Sequence, residues 1–318
     1  MLDRHIMQTR AIAERTWAIV LAGGEGTRLT PLSVALCGRQ VPKQFVRVDG
    51  GPSMLQATLE RVGHIVEPRR TVVVMGRAHV EWAREQLGEA EVTTLVQPAG
   101  RGTAAAILYA LAWIQLHDRA PRVLVFPSDH HVDPLSPFLG AVRRAARAAS
   151  LYGRLTVVGV VPDEPDPDYG WILPGPPVGN SCRKLASFTE KPAAAVANRL
   201  FLGGGMWNTF IFAAPAAALW TLARLHVPAH ADGFAALDRF AFVPGARELD
   251  ELYSRLEPAD FSRDVLQPSN ELLVVPMQRA RWTDLGTPER VLATLRGTPA
   301  EERVAARLRR GSSMSPTP

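Results

Sequence analysis

Lysine is almost missing from this chain. Of 36 basic residues only Lys43, Lys184 and Lys191 are lysines, and the rest are arginine. Cysteine is equally scarce: Cys37 and Cys182 are too few for a disulfide framework or a cysteine-based metal cluster. No apolar run approaches the length of a membrane helix, and a long apolar tract such as 210–219 is broken by Pro215. The first 16 residues interleave Asp3, Arg4, His5, Arg10, Glu14 and Arg15 with single apolar residues. They lack the continuous apolar stretch of a signal peptide, so cytoplasmic residence and no membrane partner are expected. The net charge of +5 is scattered. A short basic group at Arg307, Arg309 and Arg310 has no interleaved aromatics, so no nucleic-acid partner is expected. At 318 residues, with 47% hydrophobic and 21% charged content, the chain has the profile of a globular protein with one large domain and a smaller appendage.

What is present is concentrated at 17–31. A short apolar run ending at Leu21 and Ala22 empties into Gly23, Gly24 and Gly26, followed by Thr27 and Arg28. Glycine permits the turns and close backbone approach through which N–H groups converge on an anion. Arg28 adds a planar donor fork suited to phosphate oxygens. Neither common phosphate template fits. No lysine and Ser/Thr pair completes a P-loop, and Leu29 stands where a dinucleotide fingerprint needs its third glycine. The scarce lysines point the same way. In an arginine-biased chain, a retained lysine marks a place where a compact, mobile ammonium is needed instead of a fork. Lys43 and Lys191 lie in motif-like contexts, whereas Lys184 reads as a solvated loop residue.

Further along, short β-branched runs at 71–75, 92–96, 122–126, 155–161, 185–188, 206–212 and 271–275 alternate with helical patterns. After the block 41–45 the segment to Val48 reads as β-rich, and Ser53 as the N-cap of the helix that follows. This alternation predicts an α/β, Rossmann-like doubly wound sheet, mixed but mostly parallel, with ligands beyond the carboxyl ends of the strands. Asp129 and Asp284 each follow an apolar strand. Two such carboxylates beside a phosphate loop have the inventory for Mg²⁺. Asp133 reads instead as a helix N-cap, and His130 and His131 diverge too far on an extended segment to form a metal pair.

These blocks resemble the sugar-1-phosphate nucleotidylyltransferase family. The stretch 21–32 is similar to its signature loop. Pro42-Lys43-Gln44-Phe45, Gly100-Arg101-Gly102-Thr103-Ala104, Phe126-Pro127-Ser128-Asp129-His130, Phe188-Thr189-Glu190-Lys191-Pro192 and Trp207-Asn208-Thr209-Phe210 resemble its mannose-1-phosphate guanylyltransferase branch, in the family's order. The resemblance implies a nucleotidyltransferase domain over 17–286, with a nucleotide half to about 150 and a sugar-phosphate half from 151. It also implies an extension over 1–16, C-terminal helices over 287–310 and a disordered tail from 311. The implied reaction takes GTP and mannose 1-phosphate to GDP-mannose and pyrophosphate. Leu21, Ala22, Gly23, Gly24, Gly26, Thr27, Arg28, Gln97, Gly102 and Thr103 would hold the nucleotide. Arg28, Lys43 and Asp129 would act at the reacting centre, with Asp129 and Asp284 on Mg²⁺. Tyr169, Gly170, Glu190, Lys191 and Asn208 would hold the sugar phosphate. A homodimer is compatible with the resemblance. The family usually has an acidic residue and an asparagine where Gln97 and Gly102 stand, and Ser-Gly where Thr209-Phe210 stand. Base and sugar choice therefore hang on those blocks; the alternatives are a uridylyl- or thymidylyltransferase acting on glucose 1-phosphate, or an inactive nucleotide-sugar-binding regulator.

Overall fold

The computed structural model describes residues 15–312 apart from Glu25, Glu89 and Pro244. Residues 1–14 of the expected N-terminal extension and 313–318 of the expected tail lie outside the described residues. The chain runs through β1 (Thr16–Leu21), α1 (Thr30–Cys37), α2 (Met54–Gly63), β2 (Thr71–Gly76), α3 (Val80–Leu87), β3 (Thr93–Gln97) and α4 (Gly102–His117). It continues with β4 (Arg122–Pro127), β5 (His131–Asp133), α5 (Leu135–Tyr152), β6 (Thr156–Val160), β7 (Trp171–Val178), β8 (Cys182–Thr189), α6 (Ala194–Leu202) and β9 (Met206–Pro215). The last elements are α7 (Ala216–His226), α8 (Pro228–Ala235), α9 (Arg247–Arg255), β10 (Leu273–Met277), β11 (Arg281–Thr283), α10 (Pro288–Leu295) and α11 (Ala300–Ser312).

Nine strands form one sheet in the order β3-β2-β1-β4-β9-β6-β10-β8-β7. β1 lies between β2 and β4, parallel to both, which is why its residues are apolar without alternation. Successive side chains still divide between two cores. Ile19 points into one with α4 and α7, and Ala18 and Val20 into the other with α5. α4 is buried nearly all round, which its alanine-rich sequence allows by letting neighbouring backbones approach. α1, α10 and α11 enclose a third, smaller apolar cluster around Leu29, Leu32, Leu285, Leu295 and Val304.

Three expectations are corrected. The sheet is not mostly parallel. β3, β2, β1 and β4 form a parallel run and β6 pairs parallel with β10, but β9 is antiparallel to β4 and β6, and β7 and β8 form an antiparallel hairpin. A hairpin needs no helical crossover, so β7 and β8 join directly, whereas α6 stands between β8 and β9 and α7, α8 and α9 stand between β9 and β10. The segment from Phe45 to Val48 is not a strand. Pro42 leads into a 3-10 turn over Lys43–Phe45, and the Gln44 amide donates to the Ala22 carbonyl at 2.6 Å, docking the turn beneath the glycine loop. Asp133 does not cap a helix. It lies in β5, paired with β11, and accepts from Arg281 at 2.6 Å. Ser53 does cap α2, in a reciprocal box with Gln56.

The loop between β3 and α4 is tied to the segment after α9. Ala104 N–H donates to the Ala259 carbonyl at 3.1 Å, Ala259 N–H returns a bond to Arg101 at 3.1 Å, and Phe261 N–H donates to Thr103 Oγ1 at 2.7 Å. Gly102 sits inside this lacing at φ +81°, where an added Cβ would lie 2.1 Å from the Ala259 carbonyl oxygen. That explains why no side chain stands there. Gly102→Ala should therefore cost about 3 kcal/mol by chemical denaturation, from left-handed strain plus a backbone clash. Gly100→Ala, with open space around its Cβ position, should change stability by less than about 0.5 kcal/mol.

Candidate active site

A cleft of about 480 Å³ opens beyond the carboxyl ends of the parallel strands. Leu21, Gly23 and Gly24 enter it after β1, Gln97, Gly102 and Thr103 after β3, and Asp129 after β4. The opposite wall comes from the antiparallel half: Tyr169 and Gly170 before β7, Glu190 and Lys191 after β8, and Asn208 in β9. Asp284, after β11, closes the floor. Thirteen sequence-predicted site residues thus converge, although they span the chain from 21 to 284.

The remaining five do not line the cleft. Ala22 is buried with its carbonyl taken by Gln44. Gly26, left-handed at φ +62°, packs where a Cβ would meet the Lys43 Cβ at 2.3 Å. Thr27 is exposed, and Arg28 reaches outward to within 4.0 Å of Asp168 at the rim. Lys43 lies beneath the cleft, 8% exposed, with its ammonium 2.8 Å from Asp129 Oδ2 and donating to the Asp284 carbonyl oxygen at 2.6 Å. One cation thus joins the two loops that carry the aspartates.

The charge state of each buried group follows from its surroundings. Burial opposes the charge on Asp284, but Lys43 and Arg290 outweigh it, and its pKa falls below the ordinary value. Burial also drives the His130 imidazole down to about 4, against the pull of Asp129 and Asp284, so it is neutral at pH 7. Trp282 Nε1 donates to His130 Nδ1 at 3.3 Å, fixing the ring under the floor. Glu190 is shifted upward by burial and by Asp260, with Lys191 and Ser262 opposing. Gly170 leaves Glu190 its place here, since a Cβ would stand 2.6 Å from Glu190 Oε2 and push that carboxylate aside. Lys191 holds a left-handed backbone, φ 45°, that turns it into the same wall.

Some functional neighbours carry no recognisable signal in the sequence. Arg290 donates to Asp284 at 2.8 Å and Asp166 at 2.6 Å, and its guanidinium lies 4.2 Å from the centre of the Tyr169 ring. It is one arginine among many, on a helix beyond the last motif. Tyr253, on α9, donates its hydroxyl to Gln97 Oε1 at 3.1 Å. The Gln97 amide nitrogen lies over Gly23, 3.0 Å from where a Cβ would be.

Asp129 and Asp284 suit a hard divalent cation: two carboxylates from separate loops line one cleft, with room left for phosphate oxygens. Lys191 and Arg101 on the same cleft suit a polyanionic ligand, and Glu190 with Asn208 suits hydroxyls.

Residues 17–299 match the family model described as "Nucleotidyl transferase". The chain is 34% identical over 281 residues to the xanthan biosynthesis protein XanB of Xanthomonas campestris pv. campestris, covering 85% of this chain and 57% of that one. It is 32% identical to mannose-1-phosphate guanylyltransferase RfbM of Salmonella typhimurium, with 85% and 56% covered. The chain thus spans little more than half the length of these curated relatives. A solved structure described as mannose-1-phosphate geranyltransferase from Thermus thermophilus superposes with a TM-score of 0.78 at 30% identity, over 90% of this chain and 80% of that one. A family match across most of the chain, an α/β fold shared with that structure, and a cleft built from the matched blocks together make this chain a member of the nucleotidyl transferase family.

Proposed function

We propose that this chain transfers a guanylyl group from GTP to mannose 1-phosphate, giving GDP-mannose and pyrophosphate. One observation carries the reading. Lys43, beneath the cleft, joins Asp129 and the Asp284 loop, which both line it, and in this reading the α-phosphorus and the attacking phosphate oxygen meet above that pair. Matched relatives named as mannose-1-phosphate guanylyltransferases support the choice of substrates.

In this reading the division of labour follows the two halves of the sheet. Gly23 and Gly24 leave backbone N–H groups for the triphosphate, and Arg28, exposed at the rim, turns from Asp168 to the departing pyrophosphate. Lys43 offsets negative charge at the reacting phosphate. Lys191 binds the sugar phosphate, while Glu190, Asn208 and the Tyr169–Gly170 turn hold the sugar hydroxyls. No protein nucleophile is required, because positioning and charge stabilisation supply most of phosphoryl-transfer catalysis. Asp129 and Asp284 would hold Mg²⁺, which when bound neutralises phosphate charge at the reacting centre.

The Gln97 carbonyl is occupied by the Tyr253 hydroxyl, so its amide N–H groups are what it offers a base. They suit O6 of guanine, but O4 of uracil or thymine accepts equally well. A pyrophosphate-release screen over GTP, UTP and dTTP with mannose 1-phosphate and glucose 1-phosphate tests the assignment. GTP with mannose 1-phosphate should give the highest kcat/KM, and a strong preference for UTP or dTTP would overturn the guanylyl reading. Asp129→Ala and Asp284→Ala should each lower kcat at least about 100-fold with the far-UV circular dichroism unchanged. Full activity in both variants would refute the metal assignment.

A further inference from the structure

A second cavity, of about 420 Å³, lies behind the active cleft between α2, the 46–54 segment and the C-terminal helices α10 and α11. Its walls are apolar at Val46, Leu285 and Leu295 and basic at Arg61 and Arg303, with His131 adding a neutral imidazole and Asp49 supplying one carboxylate. Arg61 is the unusual member. Its Nη2 donates to two neutral oxygens, Thr58 Oγ1 at 2.7 Å and the His130 carbonyl at 2.8 Å. A half-buried guanidinium bonded to neutral oxygens keeps its full charge and can still pair with an anion. Burial pulls its pKa down to about 10, with Glu60 offsetting part of the effect, so it stays charged at pH 7. Arg303 is exposed at the mouth and donates to the backbone oxygens of Pro299 and Asp49.

The cavity is also wired to the active cleft. Asp129 is followed directly by His130, and Asp284 by Leu285, and both followers line the second cavity. His130 lines the two cavities at once. Leu285 holds a left-handed backbone, φ 48°, with its side chain packed in the C-terminal cluster. Anything that shifts Arg61, His130 or Leu285 therefore acts on the segments that set the two aspartates.

We propose that this second cavity binds a phosphate group, free or carried by a small organic molecule, and that its occupancy alters turnover at the active cleft. By linkage, active-site ligands must alter phosphate affinity at the second cavity by the same factor. The site is independent of the base and sugar assigned above, and binding reads it out without catalysis.

The test is calorimetric titration of inorganic phosphate, and separately of glucose 6-phosphate, into the wild-type chain and into Arg303→Glu and Thr294→Trp. Arg303 is exposed and Thr294 half-buried on the cavity wall, so neither substitution removes a core side chain. The wild type should show one class of site beyond the active cleft, weakened at least tenfold by Arg303→Glu and abolished by Thr294→Trp. Basal turnover of Arg303→Glu, measured without added phosphate, should match wild type. Tighter binding of glucose 6-phosphate would identify an organic phosphate as the ligand, and tighter binding of inorganic phosphate the free anion. Identical isotherms in all three proteins would overturn the proposal, as would phosphate-induced shifts of histidine NMR signals that leave His131 unmoved.

Discussion

A buried ammonium between two acidic loops is the constraint on which this site depends. Asp129 and Asp284 come from distant parts of the chain and would repel across a cleft partly shielded from water. Lys43 contacts the carboxylate of one and the carbonyl of the other, and Arg290 holds the remaining carboxylate. The turn carrying Lys43 is in turn fixed by Gln44 on the Ala22 carbonyl and by Gly26 packing against the Lys43 side chain. The glycine loop therefore has two jobs. It brings Gly23 and Gly24 to the cleft wall, and its third glycine makes room for the lysine beneath. An arginine at 43 would be longer and planar, and it could not donate from one point to both oxygens.

The mixed sheet explains how one cleft acquires two chemically different walls. Parallel strands place their following loops at one edge, which delivers the glycine loop, the 97–103 loop and Asp129. The antiparallel half supplies the facing wall from the ends of a hairpin and from β9, which β4 and β6 flank. Because β9 is bonded to the parallel half on one side and to β6 on the other, the walls belong to one continuous sheet. Their separation is set by strand spacing instead of by a flexible joint.

Behind this cleft the C-terminal helices do more than cover an apolar patch. Arg290 on α10 holds Asp284 and Asp166 together and lies against Tyr169, so a helix outside every motif orients one acidic loop. The same helices wall the second cavity. Packing there is felt at Leu285, one residue from Asp284.

Local chemistry is legible in the sequence because it depends on nearest neighbours. Glycines dense after an apolar run, lysines retained against an arginine bias, aspartates just past strands, and the Ser53 cap can all be read residue by residue. The α/β class is legible from alternating periodicities. What cannot be read is any feature set by partners far apart in the chain. The antiparallel half follows from which strands meet, and the 3-10 turn at Lys43–Phe45 from a bond to Ala22. Asp133 faces Arg281 in a small sheet instead of capping a helix. Gly102 departs from the family pattern because Ala259 lies against it, and Arg290 and Tyr253 give no sign of their roles until the chain is folded. Sequence alone determined which groups were available, because side-chain chemistry and short-range backbone preference are local. Tertiary structure alone decided which of them meet, because burial and hydrogen bonding between residues over a hundred positions apart exist only once the sheet has formed.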